Sequence, residues 1–158
     1  MPEQAYMVVD ERADHSIRVP RPDLSLVTGS PNACNSTDCH GEKSVVWSVE
    51  HYEKWYGLAR KPHYGTTLAA GRQGSPEARD DLIRLAGDTL YPSMVRATAL
   101  SLLTAYPSAE STAAFARALA DEDPLGRYTA VLNTSAASAE EYVNLLAPLL
   151  FDPIGSVR

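Results

Sequence analysis

Pro92-Ser93-Met94-Val95-Arg96 returns as Pro124-Leu125-Gly126-Arg127 and again as Pro153-Ile154-Gly155-Ser156-Val157-Arg158, and this recurrence decides the fold. The three arginines stand 31 residues apart, each three to five positions after a proline. Self-similarity at such a period marks a chain of stacked units, because one unit of that length buries its apolar face only against a neighbour. Ser75-Pro76-Glu77, Ser108-Ala109-Glu110 and Ser138-Ala139-Glu140 read as helix starts, with serine placed to cap and proline or acid in the first turn. The pattern predicts helices over 75–87, 92–105, 108–121, 125–134 and 138–151, in antiparallel pairs that form an α-solenoid. The recurring arginine is expected near the turn between helices, where it links neighbouring repeats.

Outward from the repeats the texture changes near residue 72, so the chain is read as two parts, 1–72 and 73–158. Its 158 residues and 44% hydrophobic content suit one or two small packed domains. Residues 1–72 carry eight Lys/Arg against nine Asp/Glu, and 73–158 carry six against eleven. With a net charge of −6 and no basic stripe, nucleic acid is excluded as a partner. No apolar run approaches the ~20 residues of a membrane-spanning helix. The start, Met1-Pro2-Glu3-Gln4, lacks the basic-then-apolar pattern of a leader.

Pro20, Pro22 and Pro31, with Gly29, Ser30 and Asn32 nearby, exclude a long helix over 1–33, which reads as an extended, irregular arm. A helix is expected from about Glu42 to Tyr56, ended by Gly57. Val45, Val49, Tyr52 and Tyr56 repeat at helical spacing on one face, while Trp47, His51 and Trp55 fall four apart on another.

Both cysteines of the chain stand in Cys34-Asn35-Ser36-Thr37-Asp38-Cys39-His40, and all four histidines (His15, His40, His51, His63) fall in the first 63 residues. Two cysteines with a histidine directly after the second form the layout that tethers a c-type haem. Each thiol adds to one vinyl group, and His40 is then presented to the iron as proximal ligand. Four residues between the cysteines, where two are commonest, require the loop to bulge. The same residues fit two other readings: a structural zinc site completed by a further histidine, or a disulfide or free thiols in a short loop.

Tyr6-Met7-Val8-Val9-Asp10, Asp14-His15-Ser16, Arg18-Val19-Pro20-Arg21-Pro22-Asp23-Leu24-Ser25, Pro31-Asn32-Ala33-Cys34, Lys54-Trp55-Tyr56-Gly57 and Lys61-Pro62-His63-Tyr64-Gly65 together resemble a family of bacterial multihaem c-type cytochromes whose haem region is followed by HEAT-like repeats. The resemblance runs from Met1 to about Leu103. It implies that Met1-Pro2 follows the histidine of an earlier haem motif, so that the chain is a segment of a longer protein. It also implies that His15 is an axial ligand, with His63 as the alternative. Arg18 and Arg21, together with Arg60 and Lys61, are candidates to neutralise haem propionates, since half-buried carboxylates need paired charge. His51 is read as a solvated or interface histidine.

The expected fold is therefore mainly α: an irregular haem-binding N-terminal region with one helix, followed by an α-solenoid of HEAT-like helix pairs. The expected function is electron transfer through covalent haem c at the Cys-x4-Cys-His motif, in the periplasm or another extracytoplasmic compartment. Its partners are then a redox protein or neighbouring haems, with a second protein docked on the repeats. An iron carrying two imidazoles has no open position for substrate, so the chain is expected to carry electrons and not to be an enzyme. The alternative is a non-redox HEAT-type binding module whose N-terminal arm is stapled by zinc or a disulfide.

Overall fold

Helices dominate the structure, a computed structural model that describes residues 3–6, 10–13, 19–36, 39–134 and 139–158. The chain divides into two units between Thr66 and Thr67, whereas the change of texture in the sequence falls at 72/73.

In the first unit, strands β1 (Glu3–Tyr6) and β2 (Asp10–Ala13) form an antiparallel hairpin, with Glu3 opposite Ala13 and Tyr6 opposite Asp10. This hairpin and helix α1 (Pro22–Thr28) correct the expectation of an irregular arm over 1–33. The prolines that exclude a long helix start a short one. Pro22 occupies the first turn, where no backbone N–H is needed, and Asp23 lies beside the positive helix end. Gly29 ends the helix at φ 69°, its N–H bonded to the Ser25 carbonyl, a conformation that a side chain would strain.

A single 3₁₀ turn, Ala33–Asn35, leads into the loop that carries the cysteines. Helix α2 (Val45–Tyr56) begins three residues later than the sequence suggests, because Ser44 is its cap: Oγ accepts the Trp47 N–H at 3.1 Å. Gly57, at φ 78°, closes it with an N–H to the Glu53 carbonyl at 2.8 Å. Helices α1 and α2 pack together, burying Pro22 and Ser25 of the first and Ser48 of the second.

Helix α3 (Tyr64–Arg72) has no counterpart among the expected helices, since Gly65 and Gly71 weaken its signal. In the second unit the residue at 71 must be small. A Cβ there would meet Leu82 Cδ1 at 3.0 Å and Leu102 Cδ1 at 3.2 Å, and the Gly71 carbonyl accepts the Tyr106 hydroxyl at 3.0 Å.

The remaining helices are α4 (Ala78–Gly87), α5 (Ser93–Leu102), α6 (Ala109–Ala118), α7 (Pro124–Asn133) and α8 (Ala139–Leu146). Short 3₁₀ extensions, Leu103–Ala105 and Ala147–Phe151, follow α5 and α8. Contacts run within the pairs α4–α5 and α6–α7 and between pairs through α4–α6 and α5–α7, the connectivity of an α-solenoid-like stack. Leu82, Ala99, Leu103 and Ala130 are completely buried between them, with Leu100 and Phe115 nearly so. Ser108 caps α6 and Asp123 caps α7 through their side-chain oxygens.

The recurring arginine ties one repeat to the next. Arg96 on α5 pairs with Asp121, and Arg127 on α7 pairs with Asp152 through Nε at 2.7 Å and Nη2 at 3.0 Å, a reach of 25 residues in each case. Arg127 Nη1 also donates to the Asp121 and Glu122 carbonyls at 2.8 and 3.1 Å. The hydrogen bonds from Arg127 hold the Asp152 carboxyl below the usual carboxylate range, against the opposing effect of burial. The residue before each arginine is buried: Val95, Gly126 and Val157. Gly126 departs from valine because Asp121 fills the space of its side chain. An added Cβ would lie 2.8 Å from Asp121 Cγ. Among the described residues no helix is long and apolar enough to cross a membrane.

Candidate functional site

Backbone and side-chain hydrogen bonds hold the Cys34–His40 loop between α1 and α2. Asn32 caps the 3₁₀ turn, its Oδ1 accepting from the Cys34 N–H at 3.0 Å and the Asn35 N–H at 3.3 Å, while its Nδ2 donates to Ser25 Oγ of α1 at 3.0 Å. Asn35 reaches the other way: Nδ2 donates to the Lys43 carbonyl at 2.7 Å, and Oδ1 accepts from Ser48 Oγ of α2 at 2.9 Å. The loop is closed by the His40 N–H on the Cys34 carbonyl at 3.2 Å and by the Cys39 N–H on the Ser36 carbonyl at 3.0 Å. These contacts tether its described ends by two asparagines, neither of which sequence reading marks as functional.

Both thiols are free, Cys34 half-buried and Cys39 exposed. Among the described residues no three His, Cys, Asp or Glu side chains converge as a metal ion requires. Zinc needs its donors gathered around one point, whereas thioether links to two vinyl groups need sulfurs held apart with an imidazole next in sequence.

His40 lies against α2, its ring 4.8 Å from that of Trp47. Trp47 in turn is 4.0 Å from His51, and His51 is 6.2 Å from Trp55 in an edge-on contact. The helical spacing of Trp47, His51 and Trp55 places these rings in one row, as their i, i+4 repetition anticipates. His51 Nδ1 lies 2.8 Å from the Trp47 carbonyl, which can only accept, so in the neutral ring Nδ1 carries the proton and Nε2 keeps its lone pair. That is the tautomer of a metal-ligating imidazole, in a residue read from the sequence as solvated or at an interface.

His63 has the opposite arrangement. The Gly65 N–H donates to its Nδ1 at 3.0 Å, so in the neutral ring the proton is on Nε2. His63 lines a cleft of about 670 Å³ within the first unit, a size that suits a small organic ligand. Val19, Pro20, Leu24, Pro31, Ala33 and Ala59 form its apolar walls, and Arg21, Tyr52, Arg60 and Lys61 supply polar groups. Cys34, Cys39 and His40 are not among the lining residues. Tyr52 follows His51 in sequence and is therefore turned ~100° from it around α2. The cleft thus meets α2 on a different face from the one His40 lies against.

Arg21, expected to face a propionate, already spends its donors. Nε and Nη2 bind the Asp23 carboxylate at 2.8 Å each, and Nη1 donates to the Lys61 carbonyl at 3.1 Å. The hydrogen bonds from Arg21 hold the Asp23 carboxyl below its usual range, helped by the charges of Arg21 and Arg60 and opposed by burial. Arg60 stacks over the Tyr52 ring at 4.6 Å and donates to the Gly57 carbonyl at 2.5 Å. Its Nη2 reaches Glu53 at 3.4 Å, while its buried Nε has no hydrogen-bond partner among the described residues. His15 and Arg18, the other candidate ligand and propionate partner, lie outside the described residues.

Comparison with protein-family models, curated proteins and solved structures finds no match to this chain.

Proposed function

We propose that this chain carries electrons through a haem c joined to Cys34 and Cys39, with His40 as proximal ligand, and that its helical repeats dock a protein partner. One observation carries the reading: a closed loop, pinned by Asn32 and Asn35 to two helices, holds two free thiols and leads directly into an imidazole set against an aromatic helix face. A haem bound there supplies one-electron chemistry. Cys34 and Cys39 would fix its position, His40, with Trp47 against its ring, would ligate the iron, and by the family resemblance His15 would supply a second imidazole, with His63 as the alternative. This makes the chain a carrier and not a catalyst. Its exchange partners are then neighbouring haems or a redox protein, and its compartment is the periplasm or another extracytoplasmic space, where covalent attachment of this kind takes place.

Expression with a haem-maturation system tests the reading by intact mass. The expected result is an increase of one haem per chain that survives denaturation, with the sharp reduced-state bands of a low-spin cytochrome. A bare polypeptide mass with two titratable thiols would reject it and leave a helical-repeat binding module. Replacing His40 with alanine should keep the covalent mass while abolishing the low-spin spectrum.

A further inference from the structure

We infer that helix α8, its 3₁₀ extension and the turn to Arg158 form a self-association surface that takes a second copy of this chain in an antiparallel, two-fold pairing. Unlike α4 to α7, α8 buries none of its residues, and neither does the 3₁₀ turn that extends it. Tyr142 and Val143 are 40% and 60% exposed, Leu150 and Phe151 64% and 88%, and Ile154 40%. A helix of a repeat stack that faces water carries polar residues there, whereas this face is apolar. Such fractions leave roughly 600 Å² of apolar surface uncovered on each chain, so a pair would bury roughly 1,200 Å², the lower bound of a specific interface.

Charge selects the occupant. Glu140 stands exposed in the first turn of α8, and Arg158 lies exposed beyond the far end of its extension. Arg158 is close enough to act on the Asp152 carboxyl that follows the 3₁₀ turn, but that carboxylate is already held by Arg127 through Nε and Nη2. Eight α-helical and five 3₁₀ residues set the two ends roughly 20 Å apart. The segment 135–138 before α8 carries no charge to compete. An antiparallel copy brings Glu140 of each chain to Arg158 of the other and makes the contact twice, whereas a parallel copy sets like charges together. The inference rests on the docking half of the proposed function and not on haem.

Sedimentation equilibrium of the full chain tests it, with the thiols kept reduced so that exposed Cys39 cannot link copies. A reversible monomer–dimer equilibrium with a dissociation constant of about 1–50 µM is expected. Leu150→Glu and Phe151→Ser change exposed side chains, should leave the helical circular dichroism unaltered, and should each weaken the dimer at least about tenfold. Glu140→Lys and Arg158→Glu should each weaken it about fivefold, and the two together should restore it to within about twofold. A chain that stays monomeric up to about 200 µM, a dimer indifferent to both Leu150→Glu and Phe151→Ser, or charge reversals that add instead of cancelling would overturn the inference. So would assembly beyond the dimer, which a closed two-fold contact does not produce. A monomer that gains covalent haem sinks this inference alone, and a dimer of bare polypeptide mass sinks the redox proposal alone.

Discussion

Gly126→Ala sets two rules of protein stability against each other at one atom. Val95 and Val157 occupy the equivalent positions of the neighbouring repeats, and alanine is a better helix former than glycine by about 1 kcal/mol, so repeat consensus and propensity both favour a larger residue. The structure gives the opposite sign. The new methyl would lie 2.8 Å from Asp121 Cγ and 3.0 Å from its Cβ, too near the root of the side chain for a rotation to relieve. Moving Asp121 disturbs its pair with Arg96 and the Asp123 N–H held by Oδ1 at 2.9 Å. Overpacking of this kind costs about 1–3 kcal/mol, so the net change is a loss of up to about 2 kcal/mol after the propensity gain. Urea titrations followed by far-UV circular dichroism measure it, and the decisive comparison is a double-mutant cycle. With Asp121→Gly already present the Cγ and Cβ contacts are both gone, and Gly126→Ala should stabilise by about 1 kcal/mol. An equal effect of Gly126→Ala in both backgrounds would refute the steric argument, as would stabilisation of the parent chain.

Asn35→Ala should cost about 1–3 kcal/mol, because it leaves the buried Ser48 hydroxyl and the Lys43 carbonyl without their partner, and alkylation of Cys34 should accelerate several-fold. Ser44→Ala should destabilise by about 1 kcal/mol through loss of the α2 cap, with Ser44→Asp restoring most of it. Asp23 and Asp152 both titrate below the usual carboxylate range in the folded chain, so their stabilising effect is complete above the unfolded value and disappears as the pH falls through the folded one. Urea midpoints should accordingly fall on acidification from neutral pH, and Asp152→Asn should flatten that dependence while leaving any change at basic pH unaffected.

The repeats were legible because their markers act locally. Ser108 caps its helix, Pro124 begins one, and the arginine spacing fixes a period, so the helices of 78–146 fall within a few residues of their expected positions. Helix α1 escaped notice because the Pro22 that forbids a helix interior also favours a helix start, and only the folded chain shows which applies. Helix α3 was hidden by Gly71, whose value lies in what it leaves room for, Leu82 and Leu102. The Cys34–His40 motif is plain in the sequence, but its supports, Asn32 and Asn35, declare themselves only through bonds to Ser25, Lys43 and Ser48. The histidine tautomers are the least legible in the sequence, since the preference for Nδ1 or Nε2 depends on a carbonyl at Trp47 and an amide at Gly65 that no spacing rule identifies.

Arg96 to Asp121 and Arg127 to Asp152 span the same 25 positions, while the arginines recur every 31. Excising residues 97–127 would bring Arg96 to that same separation from Asp152, so a whole module can be lost or duplicated in the gene and the surviving donor inherits a ready acceptor. The scaffold can therefore change its reach by crossover in single steps, without any new electrostatic partner having to evolve first.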